Sequence, residues 1–274
     1  MRVLITGANG QEGHALTQRA PAGFVVTALS SKELDITDAK AVSNCMAHIK
    51  PQLIINAAAY TAVDKAETDQ DRAFAVNCQG VAHLGSHTVP VLHLSTDYVF
   101  AGDANQPYTP TSPTGPTGVY GASKLAGELA LAEVNPKHVI VRTAWVFSAH
   151  GTNFVKTMLR LGAERDAVNV VADQQGGPTA ALSIANMLWQ LAQRYKAQGT
   201  LAWGTYHFAG AVEVGLLAKA PTVNPISTAQ YPTPAKRPAW SVLDSRTMHN
   251  TFGIAAPHWQ NDLKEVLNSL KSNT

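Results

Sequence analysis

The sequence has two cysteines, Cys45 and Cys78, and neither belongs to a CxxC pair or a Cys/His cluster. A disulfide framework or a zinc site has nothing to build on, and a reducing compartment, the cytoplasm, fits best. Charge of one sign is also scarce. The formal net charge is +2 and no basic run concentrates it, so no electrostatic footprint for nucleic acid or an anionic membrane exists; negatively charged partners should be small molecules. No apolar run is long enough to span a bilayer, and no charged-then-apolar leader precedes the opening "MRVLITG". What is plentiful is core material: 45% hydrophobic composition over 274 residues supports one large domain or two closely joined ones.

That material is arranged in alternation. Arg2 to Thr6 reads as a buried strand, "GANGQEGHALTQRA" as a turn entering a helix, and "GFVVTAL" (Gly23 to Leu29) as a second strand. A helix over Ile36 to Lys50, strands over Gln52 to Ala59 and Val89 to Phe100, a helix from Tyr120 to Val134 and a strand from His138 to Phe147 follow. A further strand near Ala167 to Asp173 and a helix over Ala181 to Tyr195 continue the pattern. Alternation of this kind predicts right-handed βαβ crossovers: an α/β, Rossmann, doubly wound parallel sheet covered on both faces. Beyond Gly204 to Gly210 proline becomes frequent and the alternation stops. We therefore expect a dinucleotide-binding domain over residues 1–147, with 167–206 returning to it, and a smaller C-terminal substrate lobe from 148–166 and 207–274.

The first βα turn, "TGANGQEG", carries Gly7, Gly10 and Gly13. Glycine there allows the tight turn, close approach of a pyrophosphate, and near contact of helix and sheet, while the helix N-terminus offers N–H donors. At the end of the second strand, where a carboxylate would select NAD, stand Ser30, Ser31 and Lys32. Hydroxyls and an ammonium favour NADPH, with NADH possible. Asp35 is placed for the adenine side. The small residues Ala57, Ala58 and Ala59, ahead of Tyr60, let a cofactor pass close to a strand end.

In "VYGASKLAGE", Tyr120 and Lys124 lie four apart, on one face of a helix. A phenol titrating near 10 is a poor proton shuttle at neutral pH, so the cation one turn away is expected to favour phenolate. Thr96, ending the fourth strand in "STDYVF", would add a hydroxyl beside the same carbonyl. Together these groups suit ketone reduction by a nicotinamide hydride with Tyr120 as the acid.

The segments "TGANGQEG", "INAAAYTAVDKAE", "LSTDYVFAG", "VYGASKLAGE", "VRTAWVFSAHGTNFVKTMLRL", "DQQGGPT" and "YPTPAKRP" stand in one order between residues 6 and 238. In this the chain resembles the extended short-chain dehydrogenase/reductases, and within them the branch that reduces 4-keto sugars carried on dTDP. The resemblance implies reduction of dTDP-4-dehydro-L-rhamnose by NADPH, with Tyr120 as proton donor, Lys124 as its partner and ribose ligand, and Thr96 with Asp97 on the sugar. It further implies Trp145 packed against the substrate, Lys236 and Arg237 near the diphosphate, and cofactor contacts from Gly10, Gln11, Glu12, Asp35, Ile36, Ala59, Tyr60 and Thr61.

Two stretches look shorter than in the family: the segment between Asn77 and "STDYVF", which holds Gly80, Gly85 and Pro90, and His207 to Pro225. Ala15 and Leu182 occupy the positions where some members carry metal-binding glutamates, so no metal and a monomer or non-metal-linked dimer are expected. Rival readings are a nucleotide-sugar epimerase or dehydratase of the same fold and a regulatory subunit that binds NADP without turnover. Elimination is disfavoured because Asp97 is followed by Tyr98 rather than by a second acid.

Overall fold

A computed structural model describes residues 1–210 and 222–272. Five apolar runs become β1 (Arg2–Thr6), β2 (Val25–Leu29), β3 (Leu53–Asn56), β4 (Val91–Thr96) and β5 (His138–Thr143), alternating with helices. The helices are α1 (Gln11–Gln18), α2 (Ala39–Ile49), the short α3 (Val63–Ala66), α4 (Gln70–Phe74) and α5 (Gly80–Gly85), and the long α6 (Val119–Val134). The chain goes on through β6 (Val146–Phe147), α7 (Phe154–Glu164), β7 (Ala167–Val171), β8 (Gln175–Gly176), β9 (Thr179–Ala180), α8 (Ala181–Gln198) and β10 (Gly204–His207). It ends in β11 (Thr222–Ile226), β12 (Trp240–Ser241), α9 (Arg246–Phe252) and α10 (Trp259–Ser272).

Six strands form one sheet in the order β10-β5-β4-β3-β1-β2, and every pairing in it is parallel. This is the expected doubly wound α/β architecture: the order reverses beside β1, and the crevice outside the carboxyl ends of the strands is where ligands bind. One face packs Val3, Ile5, Leu53, Ile55, Leu92, Leu94, Val139 and Val141 against α1 and α8. The other packs Leu4, Ile54, Val91 and Ile140 against Val42 and Met46 of α2, Leu84 of α5 and Leu131 of α6.

The structure corrects several sequence boundaries. β4 stops at Thr96, and Asp97–Val99 form one 3-10 turn. The strand expected to run from His138 to Phe147 breaks after Thr143, because Trp145 adopts a left-handed φ of 49°. β7 does not rejoin the main sheet with the returning segment; it pairs with β11 in a two-stranded sheet. The return is made instead by α8, packed on α1, and by β10 beside β5.

The segment after Asn77 is helical as far as Gly85: α4 continues through a π turn at Ala75–Gln79 into α5. Its glycines have packing reasons. A β-carbon at Gly80 would come within 2.6 Å of Ile36, and one at Gly85 within 2.7 Å of Leu131. Most of the stretch His207 to Pro225 lies outside the described residues.

Candidate active site

The glycine turn fits a dinucleotide because of how it packs on itself. Gly7 has φ +77°, and a β-carbon there would lie 2.6 Å from the Ala57 backbone; at Gly13 it would lie 2.1 Å from the Gly7 carbonyl. Only glycine lets α1 settle this close to β1 and β3. Gly10 caps α1 without a side-chain bond, so the first N–H groups of the helix remain open to an anion. The loop after β6 leans on the same turn: Asn153 donates to Gln11 Oε1 at 2.8 Å, and the His150 ring touches the Asn9 carbonyl at 3.1 Å.

After β2, Ser30 is buried, and its N–H and hydroxyl both donate to Glu33, at 2.8 and 2.7 Å. Ser31 and Lys32 are exposed. Bonds from the Thr37 hydroxyl and N–H hold the Asp35 carboxyl below its ordinary pKa, with Arg72 of α4 3.5 Å away. Ile36 is buried. Two asparagines fix the loop after β3. Asn56 Oδ1 accepts from the Thr6 hydroxyl at 2.7 Å and from Ala58 N–H at 3.0 Å. Asn77, placed by the π turn, accepts from Tyr60 N–H at 2.8 Å and donates to the Tyr60 carbonyl and to Ser123 Oγ of α6. Thr61 is exposed beside them. The residues between Ala57 and Thr61 are thus tied to the helix that carries Tyr120.

At the carboxyl end of β4, Thr96 Oγ1 donates to Asp97 Oδ1 at 2.9 Å and faces the Tyr120 phenol. The Tyr98 ring meets Tyr120 edge-on, with centroids 5.4 Å apart. Lys124 is 2% exposed, and its ammonium donates to the Leu94 carbonyl at 2.7 Å. Loss of water brings the pKa of Lys124 down to about 8, against the pull of Glu128 and of Glu12 from α1; burial in turn raises Glu12.

Here the structure corrects the electrostatic expectation. Burial pushes the Tyr120 phenol well above its ordinary value; Thr96 is the group that opposes this, while Asp97, Glu12 and Tyr98 push it further up. In the protein alone Tyr120 is therefore a fully protonated donor, with Thr96 rather than Lys124 favouring release. Burial also raises Asp97, to about 6, with Ser241 and Thr96 pulling it back. Asp97 Oδ2, Thr143 Oγ1 and Ser241 Oγ are buried without a hydrogen-bond partner.

The remaining predicted residues divide. Trp145 is 41% exposed, and its ring lies over Gly176, where a β-carbon would come within 2.5 Å of it. Arg237 reaches the site from the C-terminal part of the chain: it pairs with Asp64 at 2.6 Å and lies 3.5 Å from the Tyr98 hydroxyl. Lys236 is exposed and is not brought into the group. The sequence reading gave no role to Asp64, Glu67, Arg72, Asn77 or Ser241. The run "AVDKAE" was the available signal for two of them: Asp64 holds Arg237, and Glu67 accepts from Val119 N–H at 2.9 Å, capping α6 one residue before Tyr120.

Comparison with known proteins gives this geometry a lineage. The family model described as RmlD substrate binding domain matches residues 1–272. The chain belongs to this family. Among RmlD-family relatives it is 44% identical to a dTDP-4-dehydrorhamnose reductase of Aggregatibacter actinomycetemcomitans, over 97% of this chain and 98% of that one. A crystal structure of a dTDP-4-dehydrorhamnose reductase from Clostridium acetobutylicum superposes with a TM-score of 0.90 at 34% identity, covering 99% and 100% of the two chains. One from Bacillus anthracis, solved in complex with NADP, gives 0.88 at 33% identity, covering 98% and 99%. Among the described residues no helix is long and apolar enough to cross a membrane, and no group of three or more His, Cys, Asp or Glu could hold a metal ion.

Proposed function

We propose that this protein is an NADPH-dependent reductase that converts the C4 ketone of dTDP-4-dehydro-L-rhamnose to the alcohol of dTDP-L-rhamnose. The observation that carries the reading is the meeting of Tyr120, Thr96 and Asp97 at the end of β4, beside the open glycine turn, with Lys124 buried behind. NADPH, when bound, supplies the hydride to the ketone carbon. The open N-terminus of α1 would take its pyrophosphate; Ser31, Lys32, Asp35 and Ile36 would line the adenosine side, and Ala57 to Thr61 would face the rest. Lys124, which has N–H donors beyond the one given to Leu94, would hold the nicotinamide ribose.

Tyr120 gives its proton to the ketone oxygen as negative charge grows there. Thr96, whose single hydroxyl proton rests on Asp97, would turn that proton to the same oxygen as its charge grows. Asp97 receives a sugar hydroxyl, Trp145 forms an apolar wall for the ring, and Arg237 takes the diphosphate end. We further read residues 1–147 with α8 and β10 as the cofactor domain and the remainder as the substrate lobe, working in the cytoplasm as a monomer or non-metal-linked dimer with no nucleic-acid partner.

The test is to mix the protein with NADPH and dTDP-4-dehydro-L-rhamnose and follow NADPH absorbance together with the sugar product. Oxidation matched by dTDP-L-rhamnose is expected. Tight NADPH binding without oxidation would instead establish the regulatory-subunit reading.

A further inference from the structure

The lobe is stitched to the segment that follows Asp97 on both sides of Ser241. Trp240 N–H donates to the Gly102 carbonyl at 3.0 Å, the Trp240 indole to the Gln106 carbonyl at 3.0 Å, and Tyr108 N–H to the Val242 carbonyl at 2.9 Å. Asp244 N–H returns to the Tyr108 carbonyl at 2.8 Å. On its other edge β12 pairs with β8, Ser241 opposite Gly176, the glycine on which Trp145 lies. Ser241 is thus held from two directions and is 1% exposed. Its hydroxyl faces the Asp97 carboxyl closely enough to favour the ionised form, yet neither Ser241 Oγ nor Asp97 Oδ2 completes a hydrogen bond. Asp97 Oδ1, by contrast, is taken by Thr96.

A buried donor and a buried acceptor that face each other unpaired are a costly arrangement unless one serves the other in use. We propose that Ser241 is a positioning residue for Asp97: its hydroxyl, carried by the lobe, orients the carboxyl oxygen that Thr96 leaves free and keeps it ready to accept from the sugar. The lobe would thereby report its seating on the main sheet directly to the residue beside Thr96. This inference rests on the proposed reductase reading for its kinetic consequence, but not for its physical one.

The titratable groups around Asp97 are Tyr98 on its own turn, Tyr120 on α6, and Arg237 of the lobe, which acts on Tyr98. Glu12 of α1 and Lys124 stand beyond Tyr120. Removing the Ser241 hydroxyl leaves all of these in place and withdraws one stabiliser of the carboxylate, so Asp97 should hold its proton to higher pH.

Two measurements test this on the full chain. Carbon-13 NMR of protein labelled at the aspartate carboxyls, with Asp97 assigned by D97N, should show its titration moving up by about half a pH unit or more in S241A. S241C, which keeps the volume and weakens the donor, should move it the same way, and S241T should restore it. In parallel, the acid limb of kcat/KM for the sugar nucleotide should move with the NMR value while NADPH affinity stays unchanged. An unmoved Asp97 titration in both S241A and S241C overturns the proposal, as does a uniform loss of kcat/KM at every pH with no shift of its limb. A shifted titration in a protein whose parent form never oxidises NADPH upholds the positioning and refutes the reductase reading alone.

Discussion

The two faces of the six-stranded sheet differ at their carboxyl ends. On the face under α1 and α8, β3 and β4 are apolar to Ile55 and Leu94 and rest on Ile184, Leu188 and Leu191. On the face under α5 and α6, the apolar layer of Leu4, Ile54, Val91 and Ile140 gives way to polar side chains. Thr6, Asn56 and His93 stand in register on neighbouring strands and are joined by hydrogen bonds of 2.7 and 3.0 Å. Ser95 and Arg142, also in register, both bond to Glu128 of α6. Lys124 sits on α6 one turn before Glu128, bonded to the backbone of β4. The first face holds the domain together. The second spends part of its burial on holding α6 in one orientation, and α6 carries Tyr120 and Lys124.

The comparison is broken most severely at the exposed end of the polar face. Tyr120→Phe removes the proposed proton donor and nothing that holds α6, so turnover should fall by about 10²–10⁴ with NADPH binding and melting temperature near those of the parent. Steady-state NADPH oxidation beside a cofactor titration checks this. A variant as fast as the parent would take Tyr120 out of the chemistry.

Deeper in, the two faces should respond differently to equal damage. Glu128→Ala leaves the Arg142 guanidinium buried without its carboxylate, now 2.7 Å away, and should cost about 3–5 kcal/mol. Leu188→Ala, at a fully buried position on the apolar face, should cost a similar 2–5 kcal/mol. Urea unfolding measures both. The difference lies in kcat: Glu128→Ala frees α6 to shift and should lower kcat by up to about 10²-fold, whereas Leu188→Ala should leave it nearly intact. Equal kcat in the two variants would mean that the polar layer is ordinary core.

Lys124 sharpens the contrast by separating stability from function. Its folded pKa of about 8 lies below the ordinary 10.5, so between those values the unfolded chain binds the extra proton and stability rises with pH. Below about pH 8 the whole penalty applies, about 3 kcal/mol. Lys124→Met should therefore raise stability at pH 7 by up to that amount, flatten the rise between pH 8 and 10.5, and abolish most turnover. Paired denaturation curves across that pH window give the answer, and a variant less stable at pH 7 with the slope unchanged would contradict it.

What the sequence made legible is what is local. The strand-turn-helix of "TGANGQEG" and the Tyr120–Lys124 spacing are carried by neighbouring residues and a single helical period, and the structure places them as read. The parts that were not legible depend on long closures. Val119 meets Glu67 across 52 residues, and Arg237 meets Asp64 across 173; no spacing in the chain encodes either. β7 failed to join the main sheet because it pairs with β11, which comes after the last strand of that sheet in the chain. The sign of the Tyr120 shift was hidden for the same reason, since it is set by burial and by Thr96, Asp97 and Glu12 arriving from other elements.

The smallest effect asks whether α6 is also held from its end. Gly118 caps the helix with no side chain of its own, and Glu67 Oε1 serves instead, accepting from Val119 N–H at 2.9 Å. A carboxylate at a helix N-terminus both satisfies an orphan donor and meets the positive end of the dipole. Glu67→Ala should cost about 0.5–2 kcal/mol, as other lost caps do. Glu67→Gln keeps an acceptor and should recover much of that. Because the cap lies one residue before Tyr120, Glu67→Ala should also raise KM for the sugar nucleotide more than that for NADPH, whose proposed contact with α6 comes a turn later at Lys124. If thermal unfolding shows the loss while both KM values stay put, the polar layer beneath α6 is sufficient by itself to hold the catalytic helix.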